Sequence, residues 1–289
     1  MDIEYWWLLA LPLFFALGWL AARIDIKQIV SESRALPVSY FKGLNFLLNE
    51  QPDKAIEAFI EVVKVDPQTI ELHFALGSLF RRRGEVERAI RMHQNLVERA
   101  DLEEDKRMHA LFELAQDYLK AGLLDRAEEL FAKLESTVHA EAALKFLLEI
   151  YEQEKDWQKA IGVADKLQRV TGRSYQKEIA NFYCELASNE MIHSRPDAAR
   201  PHLAEALAHH RLSVRANLLL GEVERNAGNT EGAIEAWKRI ESQNPHYLAL
   251  VADKLLAAFT QLNRVEEGLN LLRGYLAKYP SLDLLNTVF

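Results

Sequence analysis

From residue 36 to about residue 280, apolar side chains return at helical spacing in short segments with polar turns between them. At the middle of every second segment stands a small residue: Ala55, Ala89, Ala127, Ala160, Ala199, Ala233 and Gly268, at spacings of 34, 38, 33, 39, 34 and 35. Twelve positions earlier stand Gly43, Gly77, Ala115, Leu148, Ala187, Gly221 and Leu256, five of the seven small. A leucine precedes this position at Leu76, Leu114, Leu147, Leu186, Leu220 and Leu255, and an aromatic ring follows it by three at Phe46, Phe80, Tyr118, Tyr151 and Phe259. Only Gly or Ala lets two antiparallel helices cross closely, while large residues one turn away interdigitate around the crossing. The pattern therefore predicts seven helix–turn–helix pairs. Gly84, Gly122 and Gly228 fall in the turn inside a pair, where a left-handed residue ends the first helix cheaply. Pro67, Pro245 and Pro280 fall where a pair ends. Leu148 and Leu256 break the rule, so repeats four and seven are expected to cross more loosely or with a shift. The longer spacings place extra residues near 101–105 and 171–175.

This is the tetratricopeptide period. Each pair leaves one apolar face uncovered, so neighbouring pairs must stack. The expected fold is all-α: a superhelix of about seven repeats over residues 36–280, with residues 281–289, "SLDLLNTVF", reading as the start of a further helix.

Before the repeats the pattern changes. Residues 5–22, "YWWLLALPLFFALGWLAA", hold 18 positions without a charge. As a helix this run is roughly 27 Å long, enough for a bilayer core. Tyr5, Trp6, Trp7 and Trp19 lie near its ends, where amphipathic rings favour the headgroup region. A cleaved secretory signal is the alternative, but that needs a positive region ahead of the run, and only Asp2 and Glu4 stand there. Arg23 and Lys27 follow it, so the positive-inside rule puts the rest of the chain in the cytoplasm. The reading is a single transmembrane anchor over 1–23, tolerant of Pro12, and a polar juxtamembrane linker over 24–35.

Composition narrows the function. The net charge of −8 argues against nucleic acid as a partner. The one cysteine, Cys184, excludes an intrachain disulfide and any cysteine-pair metal site. There is no glycine-rich phosphate loop, no G-x-S-x-G and no H-E-x-x-H. His202 and His209 share a helix face but stand two turns apart, roughly 10 Å, too far for one metal. An array of repeats presents surface rather than a closed, dry pocket, so an enzyme is not expected.

In this architecture the first helix of each pair lines the inner groove. The repeat register places Glu71, Phe74, Ser78, Arg81 and Arg82 inward in repeat two, and His109, Phe112, Gln116 and Lys120 in repeat three. It places Asn181, Cys184 and Ser188 inward in repeat five, and Arg215, Leu218, Glu222 and Arg225 in repeat six. An aromatic floor with a basic rim suits a peptide carrying acidic residues. The alternative is that Phe74 and Phe112 only pack against neighbouring helices. Arg81 and Arg82 also close a helix C-terminus, where the dipole favours cations, but three successive arginines exceed what capping requires. Repeat one lacks the Lys and Asn pattern of repeats that clamp a chaperone's terminal carboxylate.

The strings "LGSLFRRRGEVERAIRMHQ", "DYLKAGLLDRAEELF", "DWQKAIGVADKL" and "EIANFYCELA", with the apolar N-terminus, closely resemble the lipopolysaccharide assembly protein B family of Gram-negative bacteria. The resemblance runs from the apolar run to about residue 280. It implies a bacterial inner-membrane, single-pass protein with cytoplasmic repeats. It further implies a regulatory adaptor whose partners are a membrane-anchored AAA+ metalloprotease and the committed deacetylase of lipid A synthesis, which it delivers for degradation. Other inner-membrane lipopolysaccharide proteins are further candidate partners, and self-association is left open. The family ends in a rubredoxin-like module with two C-x-x-C pairs that carries one zinc or iron. No such pair occurs here, so these residues are expected to hold no metal or other cofactor.

Overall fold

The computed structural model describes Phe15, Trp19 and residues 38–65 and 69–288. The anchor residues Tyr5, Trp6, Trp7 and Arg23, the linker 24–35 and Pro67 lie outside the described residues. Phe15 and Trp19 are helical and exposed. Among the described residues no helix is long and apolar enough to cross a membrane.

The described residues form two compact units, one ending at Leu96 and the other starting at Val97. They hold fifteen α-helices and no strand. The pairs of repeats one and two are α1 (Val38–Leu48) with α2 (Pro52–Val65), and α3 (Ile70–Arg82) with α4 (Val86–Glu98). Repeats three to five are α5 (Glu104–Lys120) with α6 (Leu124–Lys133), α7 (Ala140–Glu154) with α8 (Trp157–Thr171), and α9 (Gln176–Ile192) with α10 (Pro196–His209). Repeats six and seven are α11 (Val214–Asn226) with α12 (Thr230–Gln243), and α13 (Ala249–Gln261) with α14 (Val265–Lys278). A short 3₁₀ turn at Pro245–Tyr247 precedes α13, and α15 (Leu282–Val288) follows α14.

The small-residue rule is visible as packing. Ala55, Ala89, Ala127, Ala160, Ala199 and Ala233 are all fully buried. In the first helices, a Cβ added at Gly43, Gly77 or Gly221 would overlap the ring of Phe59, His93 or Trp237. Each of these rings lies sixteen positions further on, in the second helix of the same pair. That position is fully buried in all seven repeats: Phe59, His93, Phe131, Ala164, Leu203, Trp237 and Leu272. Repeat four exchanges the sizes, with Leu148 in the first helix and Ala164 in the second. The looser crossing expected from Leu148 is thus answered by a smaller residue at the facing position. In repeat seven, Gly268 of the second helix packs under Phe259 of the first, where an added Cβ would lie 2.9 Å from the Phe259 Cβ.

The turn inside each pair is also shared. Glu50, Gly84, Gly122, Lys155, Ser194, Gly228 and Asn263, each seven positions past the crossing residue, all have positive φ between 54° and 81°. The next residue's N–H then donates to a carbonyl five residues back: Gln51 to Phe46 at 2.8 Å, Leu123 to Tyr118 at 2.9 Å, Asp156 to Tyr151 at 2.9 Å. This bond closes the exposed end of the first helix. Side chains other than Gly resist this conformation by about 1 kcal/mol or more, so one position carries two opposite predictions. Gly122→Ala will lower unfolding stability by about 1 kcal/mol, and Lys155→Gly will raise it by a similar amount. Urea unfolding followed by circular dichroism measures both; equal signs would show that the turn conformation is not the cause.

Among the described residues, apolar cores hold the repeats of each unit together. In the first unit, Phe59, Leu72, Leu76 and Phe80 join α2 to α3. In the second, Cys184, Leu203 and Val223 centre one cluster, and Trp237, Leu255, Phe259 and Tyr275 another. Ion pairs link successive repeats, Lys159–Glu128 at 2.9 Å, Lys166–Glu135 at 2.6 Å and Lys278–Glu241 at 3.1 Å. Exposed pairs of this kind contribute about 0–1 kcal/mol each, so burial of the apolar faces holds the repeats together.

Candidate functional site

In the first unit, α3 presents Glu71 in its first turn and Arg81 and Arg82 in its last. Glu71 and Arg82 are exposed, Arg81 is half-buried, and half-buried Phe74 lies 6.1 Å from the buried His93 ring. Arg83, the third of the arginine run, sits just past the helix and pairs with Asp53 at 2.8 Å and Glu85 at 3.1 Å. Arg83 is thereby occupied in holding the turn to α2, while Arg81 and Arg82 stand where the helix dipole favours positive charge. Further along the same string, the Arg88 guanidinium lies 3.9 Å from the centre of the Phe80 ring. Arg88 and Arg91 line a cleft of 360 Å³ with an apolar floor of Ile60, Val63, Leu76 and Met92. The first-helix register missed these two arginines because they sit on α4; their signal was the basic string itself.

In the second unit, His109 and Phe112 of α5 meet on one ring, that of His139. The centroid distances are 5.5 Å and 4.8 Å, both stacked. Phe112 also lies 6.0 Å from Phe131 and from Phe146. It is half-buried in an aromatic cluster, so much of its surface is taken up by packing. Burial, and then the neighbouring His109, hold the His139 imidazole below its ordinary pKa. Gln116 donates to Glu113 at 3.3 Å, and Lys120 is exposed in the last turn of α5.

Later repeats carry their inner charges as pairs. Arg215 of α11 reaches Glu185 of α9 at 2.6 Å. Arg225 and Lys254 of α13 both pair with Glu222. Arg215 and Arg225 thus answer to different carboxylates. Cys184, placed inward by the register, is instead fully buried. Burial pushes its thiol up to about 11, so it serves packing. The reason is that α9 has core on two sides, which a one-face register does not anticipate.

A cleft of 820 Å³ opens between the turn of repeat four and α9. Ser188, which the register placed inward, lines it beside Trp157, Glu185 and Ile192. Trp157 stacks on Phe182 at 5.8 Å, and Ile192 is 79% exposed. The register omitted Trp157 because it opens a second helix. Among the described residues no group of three or more His, Cys, Asp or Glu side chains is placed to hold a metal. What the surface offers is clefts and charged rims along helix pairs, which suit binding another chain rather than a reaction.

Comparison with known proteins agrees. Residues 42–101, 112–174 and 184–247 match the tetratricopeptide repeat family. The chain is 39% identical over 261 residues to lipopolysaccharide assembly protein B of Escherichia coli strain K12, covering 90% of this chain and 67% of that protein. It is 34% identical over 271 residues to the protein of the same name from Haemophilus influenzae, covering 89% and 67%. Among solved structures it is similar to the C-terminal part of a tetratricopeptide-repeat protein from Cytophaga hutchinsonii. That likeness has 12% identity and a TM-score of 0.47 over 86% of this chain and 99% of the other. The repeats make it a non-catalytic scaffold for protein–protein interaction. On its repeats and its similarity along nine-tenths of its length, the chain belongs to the lipopolysaccharide assembly protein B family of tetratricopeptide-repeat proteins.

Proposed function

We propose that this chain is a membrane-tethered adaptor that restrains lipopolysaccharide synthesis. It does so by bringing the committed deacetylase of lipid A synthesis to a membrane-anchored AAA+ metalloprotease for degradation. The observation that carries this reading is the 39% identity to lipopolysaccharide assembly protein B over 90% of the chain. In this reading residues 1–23 anchor the repeats at the cytoplasmic face of the inner membrane. The basic string from Arg81 to Arg91 is the docking surface for an acidic segment of a partner. Its support is the placement of Arg81 and Arg82 at the end of α3, and of Arg88 and Arg91 over an apolar cleft.

The test is the half-life of the deacetylase in cells depleted of the protein and complemented with these 289 residues. Depletion lengthens the half-life, and complementation shortens it again. Arg81→Glu with Arg82→Glu lengthens it towards the depleted value while the circular dichroism spectrum stays that of the parent. Unchanged turnover in the double variant removes the docking role. No change on depletion removes the adaptor role and leaves a general envelope-assembly scaffold. Protease accessibility in inverted vesicles would then tell cytoplasmic from periplasmic repeats.

A further inference from the structure

A third cleft, of 430 Å³, lies where repeat five meets repeat six. Its walls come from the end of α10, the loop after it, the first turns of α11 and the last turn of α12. Asn217 of α11 is fully buried, and neither its Oδ1 nor its Nδ2 has a hydrogen-bond partner. The Gln243 side chain donates from Nε2 to the Arg211 carbonyl at 2.9 Å, but its buried Oε1 is unpartnered. Buried polar atoms are nearly always satisfied, so three such atoms at one cleft call for polar partners from outside the chain.

Sequence position explains the space. Asn217 stands four residues before the crossing glycine, Gly221, where the general tetratricopeptide pattern has tryptophan. A short carboxamide in place of an indole opens the junction and lines it with a donor and an acceptor. Arg211 and Arg239 also line the cleft, form no ion pair among the described residues, and meet no carboxylate side chain there. In a chain of net charge −8 that local excess of positive charge selects an anion.

A bare anion is not enough. It would suit the two guanidiniums and Asn217 Nδ2, but Asn217 Oδ1 and Gln243 Oε1 are acceptors and need donors. A carboxamide is complemented by the N–H and C=O of an amide unit, which return one donor and one acceptor. Leu207 and Leu212 supply apolar flanks. We propose that this cleft binds a carboxylate attached to a secondary amide, the unit shared by a peptide C-terminus and a free N-acyl amino acid. The proposal does not rest on the adaptor reading and concerns different residues.

Calorimetric titration of the full chain in detergent micelles tests it. N-acetylglycine is expected to bind at one site per chain with a Kd of about 1 mM or below, the range open to so small a ligand. Its C-terminal amide is expected to bind about tenfold more weakly. Asn217→Leu should abolish binding with the helical spectrum and melting temperature kept or raised, since it buries an apolar group in place of unmet amide atoms. Arg239→Ala, an exposed position, should weaken binding without touching the core. An acetylated pentapeptide with a free C-terminus that binds more tightly than N-acetylglycine supports the proposal with a protein terminus as the source. Equal affinity supports it with a small molecule as the source. No binding at about 10 mM, well above the expected range, overturns it. So does equal binding by the amide or by inorganic phosphate, or unaltered binding by Asn217→Leu.

Discussion

Trp237→Ala will destabilise the second unit by about 3–5 kcal/mol, the usual cost of emptying a fully buried aromatic site. Trp237 has no exposed surface, and its Nε1 donates to the Leu218 carbonyl at 3.3 Å. Its ring fills the space left by the missing side chain of Gly221. Gly221→Leu alone will be damaging for the complementary reason, since any Cβ there overlaps the indole. The two changes together should cost less than their sum, because Leu in the first helix with Ala in the second is the combination that repeat four uses at Leu148 and Ala164. Denaturant unfolding of the two single variants and the double one measures the coupling. Sites that act independently add within about 0.5 kcal/mol, and that outcome would remove the size-exchange account of the crossing.

Arg200→Ala will cost about 2 kcal/mol at neutral pH, because it strips the strongest partner from a buried carboxylate. Glu224 occupies a position that carries an aromatic ring in five of the seven repeats, yet it is only 8% exposed. Arg200 donates to it from Nε at 2.7 Å and from Nη2 at 3.4 Å, and Asn229 donates at 2.7 Å. The Arg200 hydrogen bond, opposed by burial and aided by Asn229, holds the carboxyl below its ordinary range. A depressed folded-state pKa means the pair stabilises above the unfolded pKa, and that stabilisation is lost as pH falls through the folded one. The gap in melting temperature between parent and Arg200→Ala should therefore be wide at pH 7 and narrow in acid, as the pH is taken below the ordinary carboxylate range. A gap of equal width at both would assign the loss to packing of the Arg200 stem. Glu224→Leu, which removes the buried charge rather than its partner, should be close to neutral.

Both expectations come from departures within a regular pattern, and regularity made most of the fold legible. A recurring small residue at a fixed spacing is enough to predict antiparallel pairs, because close approach of two backbones has few chemical solutions. The turn glycines Gly84, Gly122 and Gly228 were readable for the same reason. Glu50, Lys155 and Ser194 were not, since their side chains do not advertise a left-handed backbone; there the packing of the two helices imposes it. At the candidate site the positions of Arg81, Arg82, His109 and Phe112 on first helices followed from register alone. Their environments did not: Phe112 is drawn into a ring cluster through His139 and Phe146, which belong to the next repeat.

The amino-acid sequence by itself determined the class of the protein: helix pairs that stack, a family resemblance along nearly all of the chain, and no chemistry for an enzyme. Local propensity and period carry that information, and both are short-range. Only the tertiary structure decided which charges are already spent and which polar groups are left unmet. Arg215 and Glu185 are 30 residues apart, and the Gln243 amide meets the Arg211 carbonyl across 32. Whether such groups meet depends on the angle at which one repeat packs on the next, and that angle is set by summed side-chain volumes at every crossing.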